Sequence, residues 1–204
     1  MSGQSPLKLA VILTVFTTVS ASFLVVADMA TGSHIALRRA EDLKASLSQV
    51  IPDRLHDNDL SQNVFAMDGP DGVPAKIYQA SMAGEPVAVA LPVTGQGYAG
   101  AIDIIMGVDV SGTVLGVRVL AHAETPGLGD KIEAGKSDWI LAFSQKSFAS
   151  LVPGQWRVKK DGGVFDQFSG ATITPRAVVN AVKRGLEFVH AHHDALFAKG
   201  AAHD

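Results

Sequence analysis

Residues 101–122 read AIDIIMGVDVSGTVLGVRVLAH and contain two runs in which apolar and polar side chains alternate. The apolar positions of these runs are Ile102, Ile104, Met106, Val108 and Val110, then Leu115, Val117, Val119 and Ala121. A two-residue turn at Ser111-Gly112 pairs Val110 with Thr113, Val108 with Leu115, and Met106 with Val117. In that register the apolar residues share one face, as a half-buried antiparallel hairpin requires. The other face receives Asp103, Asp109 and Arg118.

Periodic segments on either side of this hairpin extend it into a larger domain. We predict two strands before it and, after it, a short helix, a further strand and a long closing helix. Their ranges are 76–82, 86–93, 137–143, 155–160 and 175–197. The inner face of the closing helix consists of Val178, Val182, Leu186 and Val189. Strands followed by helices favour an α+β fold with an antiparallel sheet and flanking helices.

The amino-terminal run Leu9–Ala27 carries no formal charge and is rich in Leu, Val, Ala, Ile and Phe. At about 1.5 Å of helical rise per residue it is roughly 28 Å long, close to the hydrocarbon thickness of a bilayer. A cleaved signal peptide is the alternative, with a shorter apolar run that ends in a small-residue cleavage site. Here the triplet Val19-Ser20-Ala21 falls in the middle of the run. The sequence therefore favours an uncleaved transmembrane helix.

A second helix is predicted at 35–50, after the span. Apolar residues recur there every three or four positions, at Ala36, Ala40, Leu43, Leu47 and Val50, and Pro52 ends the pattern. The predicted organisation is a short tail at 1–8, the span at 9–27, a helical linker at 28–63, a single folded domain at 64–197 and a tail at 198–204. Lys and Arg residues near the span do not indicate its orientation.

Charge and cysteine content exclude several classes of function. The formal net charge of the 204 residues is −3 and no basic stripe is present, so the chain is not expected to bind nucleic acid. The sequence has no cysteine. Cysteine-ligated iron–sulfur clusters, c-type haem attachment, disulfides and a lipoprotein anchor are therefore excluded. Redox chemistry in such a chain would require an organic cofactor.

Small residues precede the closing helix in the segment Asp166–Pro175, DQFSGATITP. Thr174 followed by Pro175 is typical of a capped helix start, because Thr accepts from exposed amides and Pro has no amide to satisfy. The small residues Ser169–Ala171 let a bulky group approach the backbone, and a helix N-terminus attracts anions. Thr172 then has a hydroxyl free of capping. The pattern alone leaves a plain capped turn and a phosphate-binding turn open, and it favours the former.

A second turn follows the hairpin at His122–Gly129, HAETPGLG. Pro126 and Gly127 suit the second and third positions of a type II turn. By pattern alone, this segment is a turn that leaves a strand.

The two segments together resemble the motifs of a known family. Asp166-x-x-Ser169-Gly170-Ala171-Thr172 matches the flavin-attachment motif of the FMN-binding domain family, in which the final Thr forms a phosphoester with FMN. His122–Gly129 is similar to the signature of the G subunit of Rnf-type electron-transport complexes. The C subunit of the sodium-pumping NADH:quinone reductase is similar in this region. The resemblance covers about residues 97–189, together with the single amino-terminal span.

This resemblance implies one FMN joined covalently through its phosphate to Thr172. Around the phosphate it places Ser169, Gly170 and Ala171, and along the flavin ring it places Glu124, Thr125 and Leu128. We further hypothesise that the enzyme that attaches FMN recognises Asp166.

The resemblance also implies a function and a location. The chain would be an electron relay in a complex that couples electron transfer between ferredoxin and NAD to Na⁺ or H⁺ translocation. Its partners would be other membrane subunits, and it would have no soluble substrate of its own. Its anchor would lie in a bacterial inner membrane with the domain on the periplasmic, extracytoplasmic side and residues 1–8 in the cytoplasm.

Other features have simpler interpretations. His190 and His193 lie three residues apart on the closing helix, but no third metal ligand is evident, so we expect no metal. Asp103 and Asp109 are interpreted as solvated strand residues, and Lys131 follows the second motif without an assigned role.

Two alternative functions remain open at this stage. One is a membrane-tethered extracytoplasmic sensor or interaction module without flavin, which the short segment before the span disfavours. The other is a self-standing flavin reductase, for which no substrate pocket is evident in the sequence.

Overall fold

The computed structural model describes the backbone of residues 6–200 and the side chains of residues 6–26 and 41–200. The chain divides into two compact units, Met1–Asp42 and Leu43–Asp204. Helix α1 spans Pro6–Val50, so the predicted span and the predicted helix at 35–50 are parts of one continuous helix. It ends just before Pro52, as predicted. The side chains of Ala36 and Ala40 lie outside those described.

The amino-terminal part of α1 has the character of a membrane span. Pro6–Val26 has a mean hydropathy of 2.4, and none of it is buried against the rest of the protein. By length and composition this segment can cross a bilayer. It overlaps almost all of the predicted span Leu9–Ala27.

The second unit is built on a five-stranded antiparallel sheet in which each strand pairs with its neighbours in sequence. The strands are β1 Val64–Asp68, β2 Pro74–Met82, β3 Glu85–Gln96, β4 Ala101–Asp109 and β5 Val114–Ala121. The predicted α+β class with an antiparallel sheet is confirmed. Strand β1 had not been predicted, and it lies at one edge of the sheet.

The predicted strand at 155–160 is wrong. This region forms two short 3₁₀ helices, Pro153–Gln155 and Lys159–Asp161, and only a single bridge links Val158 to Phe165. Trp156 and Val158 are both fully buried while Arg157 is exposed. This alternation of buried and exposed side chains gave the sequence the period of a strand without a partner strand to pair with.

The hairpin of β4 and β5 has the predicted pairing at its centre and a different turn. Met106 pairs with Val117 as predicted, but Val108 pairs with Val114 instead of Leu115. The amide of Gly112, at φ 80°, donates to the carbonyl of Asp109 at 2.9 Å. A two-residue hairpin turn needs positive φ at its first central position, which suits Gly or Asn better than serine. The turn is therefore longer, and a bulge restores the register.

One face of the sheet is covered by helix α2, Ile173–Ala191. The predicted inner residues Val178, Val182, Leu186 and Val189 are all buried. The close approach depends on Gly95, since a Cβ there would lie 3.0 Å from the carbonyl oxygen of Ala177. The helix stops at Ala191 and a short helix α3, His193–Leu196, follows, so the predicted single helix to Phe197 is interrupted.

The opposite face of the sheet is also buried, which corrects the half-buried hairpin expected from sequence. The last turn of α1 packs there in a second cluster: Leu47, Val50, Ile51, Leu60, Tyr78, Ala80, Ala88, Ala90 and Ile105. Gly107 pairs with Gly116 across β4 and β5, and a Cβ on Gly107 would overlap the carbonyl of Val50. Because this face is lined by Ala and Gly, its hydrophobic signal in the sequence is weak.

An aromatic layer supports the segment before α2. Trp139 and Phe143 lie in a 3₁₀ helix, Asp138–Phe143, which confirms the predicted short helix at 137–143. Phe143 stacks on Phe165 with ring centroids 4.5 Å apart, and Trp139 meets Phe168 edge-on at 5.2 Å. This layer anchors the chain just ahead of the candidate site.

Candidate functional site

A cavity of about 480 Å³ lies where three separate segments meet. These are the loop between β3 and β4, the turn after β5, and the turn that leads into α2. The lining residues are Tyr98, Glu124, Thr125, Leu128, Gly129, Gly170, Ala171, Thr172, Ile173 and Thr174. The fold thus brings together six residues that the sequence had selected from two distant motifs. Ser169 is exposed on the same turn and does not line the cavity.

The turn before α2 is held on one side by buried residues and hydrogen bonds, and it is exposed to solvent on the other side. The amide of Ala171 donates to the carbonyl of Phe168 at 3.2 Å, and Gly170 has φ 80°. Buried Phe168 holds one end of the turn, and the indole of Trp139 donates to the carbonyl of Asp166 at 2.8 Å. The Asp166 carboxylate is exposed and pairs with Lys159 at 2.6 Å. This motif is therefore accessible from solvent on a rigid support.

Two threonine hydroxyls on this turn have different environments. Thr174 was predicted to cap α2, but the helix begins at Ile173, two residues before the predicted start at Pro175. Thr174 is fully buried, and its hydroxyl donates to the carboxylate of Glu124. Thr172 occupies the cap position, makes no capping hydrogen bond with its side chain and lines the cavity. The predicted capping role of Thr174 is therefore wrong, and Thr172, expected to lie before the cap, occupies the cap position without a capping hydrogen bond from its side chain.

The turn after β5 is the type II turn expected from Pro126 and Gly127. The amide of Leu128 donates to the carbonyl of Thr125 at 3.1 Å, and Gly127 has φ 79°. A Cβ on Gly170 would lie 3.7 Å from the Leu128 side chain, so this turn faces the one before α2 across the cavity.

Hydrogen bonds behind this turn hold it in place. His122 Nδ1 accepts from the amide of Glu124 at 3.0 Å, so Nε2 carries the proton and donates to Glu133 at 2.9 Å. Lys136, and then His122, hold the pKa of Glu133 below its ordinary value by hydrogen bonding to its carboxylate. The pKa of Asp130 is lowered mainly by the Gly127 amide, with Lys136 as a further donor.

Glu124 is a buried carboxylate, with 5% of its surface exposed. Its Oε1 accepts from the amide of Ala99 at 2.9 Å, and its Oε2 accepts from Thr174. A Cβ on Gly129 would lie 2.5 Å from Oε2, and one on Gly97 would overlap Oε1. The two glycines therefore provide the room that this carboxylate occupies.

Large apolar side chains stand exposed around the cavity. Tyr98 is 72% exposed, Leu128 44% and Ile173 46%. Exposed apolar groups at a concave surface are typical of a ligand site. Tyr98 and Ile173 were missed from sequence, although a lone aromatic residue in the glycine-rich stretch GQGYAG at 95–100 was a usable signal.

The remaining candidate residues lie elsewhere or have structural contacts. His193 Nε2 donates to the carbonyl of Val110 at 3.0 Å, and no cluster of three metal-ligating side chains occurs among the described residues. The carboxylate of Asp109 accepts from the amides of Ser111 and Thr113, so it stabilises the hairpin turn. Lys131 is exposed and does not line the cavity.

Comparisons with known proteins agree with this geometry. The model of the FMN-binding domain family matches residues 97–187, which contain every residue that lines the cavity. The G subunit of the ion-translocating oxidoreductase complex of Cereibacter sphaeroides is 50% identical over 195 residues, covering 96% of this chain and 89% of that protein. Its counterpart in Shewanella amazonensis is 45% identical over 199 residues, covering 95% and 93%.

A solved structure supports the fold. The crystal structure of the C subunit of Na(+)-translocating NADH-quinone reductase from Parabacteroides distasonis superposes with a TM-score of 0.50 at 18% identity. The superposition covers 74% of this chain and 92% of that one.

The fold and the site together define an electron-transport flavoprotein of the FMN-binding type with one apolar amino-terminal helix. Within that class, the chain belongs to the family of G subunits of the ion-translocating oxidoreductase, or Rnf-type, complexes. The resemblance expected from the two sequence motifs is confirmed.

Proposed function

We propose that this chain carries one FMN covalently, through a phosphoester to Thr172, and relays electrons within a membrane complex. The observation that carries the proposal is the contrast between two hydroxyls. Thr172 presents an uncommitted hydroxyl at the cavity, while that of Thr174 is buried against Glu124. Only the former can be esterified without dismantling the site.

The shape and polarity of the cavity fit FMN. Its volume of about 480 Å³ falls in the range of small-molecule sites. Small residues at Gly170 and Ala171 leave room for a phosphate near the first amides of α2, which favour an anion. The exposed side chains of Tyr98, Leu128 and Ile173 offer apolar surface to a flat aromatic ring.

The charges around the cavity favour a covalent link over reversible binding. Among the residues with described side chains, no Lys or Arg lines the cavity, and the acidic residue there is Glu124. A free FMN phosphate would meet no cationic side chain in such a site and would be attracted only by the partial charge of the helix N-terminus. A reversible site also empties when the ligand falls far below its dissociation constant, as it would where free FMN is scarce. With an ester, retention of the flavin depends neither on electrostatic attraction nor on the concentration of free FMN.

Ester formation is a substitution at phosphorus. The Oγ1 of Thr172 forms the new bond to phosphorus and loses its proton. The bond from phosphorus to the leaving group of the flavin donor breaks, and that group departs. Because free FMN could release only water, the donor must be a flavin nucleotide activated as a phosphoanhydride. We propose that the attaching enzyme recognises Asp166 and the exposed Ser169 on the same turn.

The roles of the chain's own residues follow from this arrangement. Glu124, Thr125 and Leu128 would line the ring, and Gly170 and Ala171 would surround the phosphate, while Ser169 lies outside the cavity on the same turn. The bound flavin supplies one- and two-electron transfer at the end of the molecule remote from the ester. No soluble substrate of its own is proposed for this chain.

Location and partners are proposed from the anchor and from the relatives. The apolar helix would fix the chain in the bacterial inner membrane, with the short tail at 1–8 in the cytoplasm and the domain at 64–197 on the periplasmic side. The relatives are subunits of an ion-translocating oxidoreductase complex. Partner subunits of that kind would pass electrons between ferredoxin and NAD and move Na⁺ or H⁺.

Peptide mass spectrometry of protein purified from its native membrane tests the ester. Cleavage after Lys160 and Arg176 gives the peptide Asp161–Arg176, which contains both threonines. We expect an FMN adduct, and fragmentation should place it on Thr172. An adduct on Thr174 would disprove the assignment of the residue, and an unmodified peptide would disprove covalent attachment.

A further inference from the structure

One buried carboxylate connects all three walls of the cavity. Glu124 belongs to the turn after β5. Its Oε1 accepts from Ala99 in the loop between β3 and β4, and its Oε2 accepts from Thr174 at the start of α2. Its own amide donates to His122. The three walls are far apart in sequence, so their relative positions depend on contacts of this kind.

The charge of Glu124 needs an explanation beyond its hydrogen bonds. Both donors to the carboxylate, the Ala99 amide and the Thr174 hydroxyl, are uncharged. Burying a carboxylate without a cationic partner costs free energy, even when its oxygens accept hydrogen bonds. Glutamine has the same shape and, because the Thr174 hydroxyl can also accept, could form both contacts. The two hydrogen bonds therefore explain why a side chain of this shape is present, but they do not explain why it is a carboxylate and not an amide.

We propose that Glu124 is a positioning residue for flavin attachment and that its negative charge lowers the reduction potential of the attached flavin. This inference rests on the proposed function, because it concerns the same flavin site. It separates two contributions of one side chain, the hydrogen bonds and the charge.

The positioning role follows from the contact with Thr174. That residue lies in the first turn of α2, two positions after Thr172, so holding it fixes the rotation of the turn that presents the Thr172 hydroxyl. The carboxylate has little room to move, since the position of a Cβ on Gly129 is within 2.9 Å of both Glu124 and Thr174. The contact with Ala99 likewise fixes the loop that carries the exposed ring of Tyr98.

The effect on potential follows from Coulomb's law. Glu124 lines the cavity and is shielded from water, so its charge is screened less than a surface charge. A fixed negative charge disfavours adding electrons to a neighbouring group. Reduction of the flavin should therefore be harder with the carboxylate present than with a neutral amide.

The test compares Glu124→Gln and Glu124→Ala in the full-length chain, produced together with its attaching enzyme. The first readout is the fraction of the peptide Asp161–Arg176 that carries FMN, and the second is the midpoint potential of the attached flavin. We expect Glu124→Gln to be loaded to within twofold of the wild type and to have a more positive potential. We expect Glu124→Ala to be loaded at least tenfold less.

The control is Glu187→Gln, which makes the same charge change at an exposed position on α2. It should change neither loading nor potential. Wild-type loading of Glu124→Ala would disprove positioning, and an unchanged potential in Glu124→Gln would disprove the effect of charge. If Glu124→Ala does not fold, Thr174→Val removes one of the two contacts, and wild-type loading of that variant would equally overturn positioning. An unmodified wild-type peptide would instead reject the proposed ester.

Discussion

The proposed flavin site has an outer half and an inner half, and they differ in exposure and in hydrogen bonding. The outer half consists of Tyr98, Leu128, Thr172 and Ile173, which line the cavity and are partly or largely exposed. The inner half consists of Gly97, Glu124, Gly129 and Thr174, whose contacts centre on a buried carboxylate. In the proposed function, the reacting group and the groups that position it are therefore separate side chains.

This separation has a physical basis. Few contacts constrain an exposed side chain, so replacing it changes stability little. A buried, hydrogen-bonded side chain leaves an unsatisfied partner or a clash when it is replaced. Substitutions in the outer half should therefore change stability little, whereas substitutions in the inner half should lower stability as well as alter flavin loading.

The largest expected effect is that of Thr172→Ala on flavin content. The variant lacks the only hydroxyl proposed to accept the phosphate, so covalent flavin fluorescence should disappear from the denatured band in a gel. The free energy of unfolding, measured by urea denaturation of flavin-free protein, should change by less than about 0.5 kcal/mol. Thr172→Ser keeps a hydroxyl and is the matched control. Fluorescence that persists in the alanine variant would show that another residue carries the flavin.

Thr174→Val should lower stability more than any change in the outer half. It removes the hydroxyl that donates to Glu124 and leaves one oxygen of a buried carboxylate without that donor. Hydrogen bonds to charged groups contribute about 2 kcal/mol, so the free energy of unfolding should fall by about that amount. The free energy of unfolding of Thr174→Ser, which retains the donor, should fall by less. Equal stability of valine variant and wild type would mean that the contact contributes nothing.

Gly129→Ala tests how tightly the inner half is packed. Gly129 has φ −84°, a conformation open to alanine, so any cost arises from contact with Glu124 and Thr174 alone. Overpacking of this kind costs about 1–3 kcal/mol, measurable by urea denaturation. Gly135→Ala is the control, since a Cβ there has no atom within 4 Å. Similar stability of the two variants would show that the inner half can relax.

The smallest expected effect is a dependence of stability on pH at Asp130, behind the turn after β5. The Gly127 amide and Lys136 lower the pKa of Asp130 in the folded state. A carboxyl group whose pKa is lowered by folding stabilises the folded state at pH values above its ordinary pKa, which is near 4. This stabilisation is lost as the pH falls through the pKa of the folded state. Asp130→Asn should therefore be less stable than wild type at pH 7, and the gap should narrow towards pH 3. A gap independent of pH would contradict this assignment.

The strongly periodic parts of the fold were predictable. The hairpin centre at Met106 and Val117 and the inner face of α2 both follow from apolar residues repeated at a fixed spacing. The burial of the second face of the sheet was not predictable, because it depends on Gly107 and Gly116, which carry no hydrophobic signal. The prediction of a strand at 155–160 was wrong for the opposite reason. Buried and exposed side chains alternate there because of packing, and no partner strand pairs with the segment.

The residues of the candidate site also divide into those that were predictable from sequence and those that were not. Thr172, Gly170, Leu128 and their neighbours were accessible through two local motifs, and the structure brings those motifs to one cavity. Thr174 was assigned to the helix cap because capping is a local property. Its partner Glu124 lies 50 residues away in sequence, and no local rule connects the two. Tyr98 was missed although its glycine-rich surroundings offered a local signal.

By itself, the sequence determined the apolar amino-terminal helix and the antiparallel core of the domain. Each of these depends on residues close together in the chain, whose spacing expresses backbone geometry directly. Tertiary structure alone decided which of two neighbouring threonines is buried and which lines the cavity. That choice depends on a carboxylate from the turn after β5, which is distant in sequence, and contacts between distant segments exist only once the chain has folded.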